Sequence, residues 1–452
     1  MTQMFGSSAG SEAHLSLFTR FFVKINNVQH STMSSVLPFD IIAQIIDVVG
    51  EMKDTNLLKE LSLISHSFLP ICSKHLFATV ELHDAFPRFH VASSKKGFVK
   101  LLKTRPDVIK YIRKLTYKVG ECYHFQSVPA VYPSFGNDDR DLSPILPNLL
   151  RKISRLNSLT IIGSKWDWNI LDSSLTSTFL YLMHLPTINH IDLSFIQDFP
   201  LFSFTPSVNL RRFDISYLMR FDRSEDDGSP EIVVQSEMMP QIREFHTTSS
   251  ELVTTKLLRA KRQDGSPAFN FTDLRRLSIW LEDEWNLRYF LQNAKLLEKL
   301  HLSVRPEGSL VGLHDILSSI ARTLKFLDFR VSLSDSTTSP LAGLCGELEA
   351  MAGHNVLETL SVRVDIDGNE TEDFIGSIVQ NVETVLIKPG WPALRQVSLR
   401  LSIACCLVSR DDSAKLSEAL QSLPDKYLSL LSKLESVTFN YSAYVVKCTY
   451  EY

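Results

Sequence analysis

Cysteine is scarce and unpatterned in this chain: six residues, at positions 72, 122, 345, 405, 406 and 448, form no C-x-x-C pair and have no histidine at zinc-ligand spacing. That excludes a zinc knuckle and a dense disulfide framework, and it points to a reducing compartment, cytosol or nucleus. Long apolar runs are lacking too, since none reaches the roughly 18 residues that a membrane-spanning helix needs. There is no block of lysine and arginine, and 47 basic against 51 acidic residues leave a formal net charge of −4. The electrostatic footprint of a nucleic-acid binder is therefore missing. Absent as well are a P-loop, a G-x-G-x-x-G after a strand, a G-x-S-x-G elbow and an H-E-x-x-H pair. No metal, no cofactor and no enzymatic activity are expected.

What remains is close to a globular average, with 44% hydrophobic and 22% charged residues. At 452 residues the chain exceeds one ordinary compact domain, so it divides into several domains or forms an extended repeat array. Residues 1–32 are Ser-rich and loosely patterned, and Arg20 and Lys24 interrupt the one apolar stretch, so a flexible leader is expected there rather than a signal peptide.

From Leu37 the pattern tightens. Leu37-Pro38-Phe39-Asp40 precedes Ile41, Ile42, Ile45, Ile46 and Val49, a helix start followed by periodic apolar positions. After Gly50 and a polar turn, Leu57, Leu58, Leu61 and Ile64 recur at three- and four-residue spacing. A further short helix carries Phe68, Ile71, Leu76 and Phe77. Three such helices hold more aliphatic surface than they can bury among themselves, which calls for a partner or a following domain to cover part of it.

This segment resembles an F-box of the type common in fungal proteins. The residues that carry the resemblance are Leu37-Pro38, Ile41-Ile42, Ile45-Ile46, Leu57-Leu58, Ile64-Ser65-His66-Ser67-Phe68 and Leu76-Phe77. The resemblance covers about a tenth of the chain. It implies docking onto the Skp-type adaptor of a cullin-RING ubiquitin ligase, through Leu37, Pro38, Ile41, Ile42, Ile45, Leu57, Leu58, Ile64 and Phe68. The alternative is that residues 33–83 simply cap the next domain.

Beyond residue 100 an aliphatic-x-x-apolar-x-apolar motif returns eleven times, from Ile112-Leu115-Tyr117 through Leu274-Leu277-Ile279 to Leu434-Val437-Phe439. Thr247 is its one polar member. Residues of the opposite parity are polar throughout, Phe326 excepted, as expected of strands with one face inward and one outward. Helical stretches between the strands, at Thr178–Leu185, Trp285–Ala294, Leu313–Thr323, Leu341–Ala352 and Phe374–Val385, cover the back of the sheet. Strand and helix in fixed order make an α/β fold with parallel strands and right-handed crossovers. The expectation is a curved, irregular leucine-rich-repeat solenoid over 84–452, after an F-box-like three-helix module at 33–83. The turn asparagine of regular repeats is missing, and the spacing runs from 22 residues (188 to 210) to 44 (112 to 156). Loops are expected at 120–141, 222–230, 261–267 and 332–340.

Arg330, Arg363 and Arg400 fall at one strand position in successive repeats and should stack about one strand spacing, ~5 Å, apart. Guanidinium groups in that array suit an acidic or phosphorylated target, or else form a solvated edge paired with Asp328 and Asp365. Trp280, at the equivalent position of an earlier strand, is a candidate aromatic anchor. His190 with Asp192, His246 and His301 lie on the same outward parity, where plain surface polarity competes with a metal or acid–base role. The function expected is a substrate receptor for a ubiquitin ligase, with a plain protein-interaction scaffold as the alternative.

Overall fold

The computed structural model describes residues 38–83, 94–119, 144–201, 207–218, 233–234, 239–281, 284–304, 317–333, 340–367, 372–405 and 410–447. The expected leader and Leu37, and most of the expected loops at 120–141, 222–230 and 332–340, lie outside them. Two compact units divide the chain, Met1–Leu76 and Phe77–Tyr452.

The first unit holds three helices, α1 (Phe39–Glu51), α2 (Thr55–Ile64) and α3 (Leu69–Leu76). Ile42, Ile46 and Val49 share one face of α1 and pack on Leu58 and Leu61 of α2 and on Phe68 and Cys72. Asp54 caps α2 by accepting from the Leu57 N–H at 3.0 Å. The first helix does not end at Gly50 but runs through it, and Lys53, left-handed at φ 59°, makes the turn. Gly50 is there for packing: a Cβ would fall 2.2 Å from Nδ1 of His75. The His75 ring so seated places Nε2 2.6 Å from Asp47 Oδ1, and that hydrogen bond holds the Asp47 carboxyl below its ordinary value. Gly50→Ala should therefore push the ring away, cost about 1–3 kcal/mol in chemical denaturation, and return Asp47 towards normal in an NMR titration. An unchanged Asp47 titration would show that the ring does not depend on the glycine.

The second unit is built on one twelve-stranded sheet in which every strand pairs in parallel with the next in sequence. The strands are β1 (Thr79–His83), β2 (Lys114–Lys118), β3 (Ser158–Asp167), β4 (His190–Gln197), β5 (Arg212–Ser216) and β6 (Glu244–Thr248). They continue as β7 (Arg276–Leu281), β8 (Lys299–Val304), β9 (Phe326–Leu333), β10 (Thr359–Asp367), β11 (Gln396–Cys405) and β12 (Thr438–Lys447). All eleven motif recurrences fall on β2–β12 or their approaches. The sheet begins earlier than the expected boundary at 83, because Phe77, Val80 and Leu82 repeat the motif with an aromatic lead and pair in register with β2. Leu76-Phe77 thus marks both the close of the helical unit and the opening of the array.

Helices α4 (Ser94–Thr104), α5 (Ile145–Leu150), α6 (Ser173–Met183), α7 (Glu251–Arg259), α8 (Glu284–Asn293), α9 (Pro340–Met351), α10 (Glu372–Leu386) and α11 (Arg410–Tyr427) lie between strands. The helix expected at 178–185 starts earlier because Asp172 accepts from the N–H groups of Ser174 and Leu175 and caps it. The one expected at 313–323 is described only from 317, as the short 3-10 turn Ser318–Ile320. Loop expectations at 261–267 give way in part to structure, since Lys261–Arg262 pairs with Val233–Val234.

Inward residues of consecutive strands form unbroken apolar rows, densest where Phe213, Phe245, Phe271 and Phe290 meet with ring centroids 5.0–5.9 Å apart. Thr247, the polar exception, is buried with its hydroxyl satisfied: it donates to Thr254 Oγ1 at 2.9 Å, and Thr254 donates to the Ser250 carbonyl. Phe326, the apolar exception outside, lies against the His301 ring at 5.0 Å, with the Lys299 ammonium 6.0 Å from its centroid.

In place of the missing asparagine ladder, the main chain stitches repeat to repeat. The carbonyl of the residue just before a strand accepts two successive N–H groups of the next repeat. Arg113 receives Asn157 and Ser158, Asn189 receives Arg211 and Arg212, Arg243 receives Arg275 and Arg276, and Glu358 receives Arg395 and Gln396.

Candidate functional site

Two surfaces stand out, one on each unit. On α1, Ile41, Ile45, Val48 and Met52 recur at four-, three- and four-residue steps, so they form a second stripe beside the core stripe. Ile41, Val48 and Met52 are 40%, 54% and 65% exposed, while Ile45 is half buried. Pro38 and Phe39 at the helix start, and Leu63 and Ile64 at the end of α2, are exposed as well. Among the residues expected to touch an adaptor, Pro38, Ile41 and Ile64 are therefore at the surface, and Ile42, Ile45 and Leu57 are half buried. Leu58 and Phe68, at 1% and 8% exposure, are the module's own core and cannot offer side chains to a partner while it stays folded. Val48, Met52 and Leu63 went unnamed in the sequence reading, although the 41–45–48–52 spacing carried the signal.

On the sheet, residues of outward parity form polar rows that run from strand to strand. Trp280, Ser303, Arg330, Arg363, Arg400 and Ser442 are consecutive register partners across β7–β12. The predicted arginines thus occupy adjacent rungs of one row, Arg330 and Arg400 exposed and Arg363 and Trp280 half buried. Arg330 donates from Nε to Asp365 Oδ2 at 2.7 Å, an acid from the next row out. Asp328, whose ionisation burial opposes, is held below its ordinary value by hydrogen bonds from His301 and Ser361 and by the charges of His301 and Arg363. A contrasting row shows what self-pairing looks like. Arg212, Glu244 and Arg276 also occupy successive rungs, but their signs alternate, and Glu244 reaches Arg276 at 3.2 Å and Arg212 at 3.8 Å.

His190 does not meet Asp192, its neighbour two residues on. It bridges strands instead, with Nδ1 2.9 Å from Ser158 Oγ and Nε2 3.1 Å from Asp214 Oδ2. Diagonal neighbours across a parallel register lie closer than the i+2 residue of the same strand, which is why sequence spacing pointed to the wrong acid. Arg212 grips Asp214 from Nε and Nη2 at 2.9 and 2.7 Å. Burial opposes charge on Asp214, yet the His190 and Arg212 bonds win and its carboxyl is lowered. Asp192, directly opposite Asp214 in register, has its carboxyl raised by burial and by the Asp214 charge.

Where β4, β5 and β6 end, Phe195, Tyr217 and Ser249 follow register partners and share left-handed backbone at φ 57°, 53° and 46°. The Phe195 and Tyr217 rings stack at 4.6 Å, which helps offset a conformation that costs a non-glycine residue about 1–2 kcal/mol. Among the described residues no group of three or more metal-ligating side chains converges, and no helix is long and apolar enough to cross a membrane. Cys72 and Cys345 are buried free thiols, and burial pushes Cys345 up to about 11, leaving little thiolate for chemistry.

No family model matches the sequence, and no curated protein matches it either. Among solved structures, the chain is similar to an internalin from Listeria monocytogenes str. 4b F2365, with 11% identity and a TM-score of 0.24 over 66% of this chain and 84% of that one. No argument rests on a superposition that loose, and the repeat architecture stands on the strand order and register given above.

Proposed function

We propose that this chain is a non-catalytic receptor whose helical unit docks onto the Skp-type adaptor of a cullin-RING ubiquitin ligase and whose sheet holds a target protein. The observation that carries the reading is the second stripe of α1. A helix that only filled its own core would need Ile42, Ile46 and Val49. Ile41, Val48 and Met52 in water serve a helix that lies in an apolar groove of another protein.

The polar face supports the target half of the proposal. Three arginines in one row, with no acid among them and an aromatic two rungs away, offer forked donors to carboxylates or phosphates on an extended segment. Catalysis falls to other subunits. Ser158, His190 and Asp214 have the residue types of a nucleophilic triad, but Ser158 is 8% exposed and Arg212 already occupies the acid. Residence in cytosol or nucleus goes with this reading.

The test is co-purification of a Skp-type adaptor with the full chain and with an Ile41→Ala/Val48→Ala/Met52→Ala variant. Binding by the natural chain and a loss of about tenfold or more in the variant, at unchanged melting temperature, is expected, since ~1.4 kcal/mol suffices for tenfold. If the natural chain does not bind, the ubiquitin link falls and a plain interaction scaffold is left.

A further inference from the structure

At its last strand the sheet departs from the rule kept by the strands before it. β11 buries Val397, Leu399, Leu401 and Ile403 to 2% exposure or less, but their register partners on β12, Phe439, Tyr441, Ala443 and Val445, are only half buried. The outward side changes too, with Tyr444 and Val446 each 41% exposed. β12 pairs with β11 along its whole ten residues and, among the described residues, with nothing on its other side. Such an edge is a template for another strand, and natural edges are blunted by shortness, charge, proline or bulges. β1, at the opposite end, is short and carries Glu81 and His83. β12 has no proline, keeps continuous register with β11, and has one charged residue, Lys447.

We propose that β12 is a self-association edge, at which two copies of the chain pair antiparallel about a two-fold axis at Tyr441 and continue one sheet into the other. This inference is independent of adaptor docking. The sequence of the strand fits a second copy of itself. Centring on Tyr441 sets Phe439 against Ala443 of the second copy, large against small, and Val437 against Val445. The same register sets position 435 against position 447, a glutamate against a lysine. Inward positions stay opposite inward positions, so the half-buried apolar row is completed across the seam. Parallel pairing would set lysine beside lysine, and a two-fold axis along the strands would turn one apolar face toward the other copy's polar face.

Sedimentation velocity of the full chain over a range of concentrations should give a species of twice the 51.3 kDa chain mass. Glu435→Lys, at an exposed position, should raise the dissociation constant about tenfold or more by placing like charges opposite each other twice. The swap Glu435→Lys/Lys447→Glu should restore it, with unchanged circular dichroism in both variants. A chain that stays monomeric throughout, or a dimer that ignores both variants, overturns the proposal.

Discussion

Phe245→Ala is expected to cost about 3–5 kcal/mol, the range for truncating a buried phenylalanine. Phe245 is 2% exposed and sits where three other rings converge, at 5.9 Å from Phe213, 5.7 Å from Phe271 and 5.1 Å from Phe290. Those rings come from a neighbouring strand, the loop before β7 and helix α8, so the void would open between layers, where collapse is hardest. Because contacts in a repeat array run between neighbours, the damage should appear as faster amide exchange over β5–β7 before global unfolding. Phe326→Ala, on the outer face, should cost about 1 kcal/mol or less. Equal losses at the two positions, in denaturant melts, would contradict the assignment of inner and outer faces.

Asp214→Asn should cost about 2 kcal/mol near neutral pH, since it weakens charge-assisted bonds from His190 and Arg212, and Arg212 is half exposed and partly screened. The pH dependence gives the sharper reading. Asp214 has its carboxyl lowered in the fold, so its stabilisation is present above the unfolded value of 3.8 and disappears as pH falls through the folded value. Asp192 has the opposite sign. Its carboxyl is raised, so the fold binds a proton more tightly than the unfolded chain, and stability drops as pH rises from 3.8 through the raised value. Asp192→Asn should therefore increase the melting temperature at neutral pH, and the gain should vanish in acid. Melts of both variants across pH that slope the same way would refute the division of roles between these two facing acids.

Much of the fold was legible because parity is a strong signal. Leu277 and Ile279 inward against Arg276 and Ser278 outward fix both the strand and its faces, and the Arg330–Arg363–Arg400 row follows from counting. The first strand was not legible because Phe77 replaces the aliphatic lead and its neighbours also complete a helix pattern. Gly50 was misread because a glycine in sequence suggests a turn, whereas its role is set by His75, a residue twenty-five positions away. Partner assignments failed for the same reason. His190 finds Asp214 rather than Asp192 only once two strands lie side by side, and Leu58 and Phe68 are taken by a core whose geometry no local spacing reveals.

A register held by main-chain carbonyls is indifferent to the side chains hung upon it. Alanine at 78, arginine at 113, asparagine at 189 and glutamate at 298 perform the same service in successive repeats. Substitution at those places is close to neutral, so the signature by which regular arrays are recognised can erode while every strand keeps its place. Selection then sees only inward bulk, outward polarity and the length needed to return to the sheet. Descendants of such a chain should diverge beyond recognition in sequence and still superimpose strand upon strand, with new recognition surfaces gained one outward residue at a time.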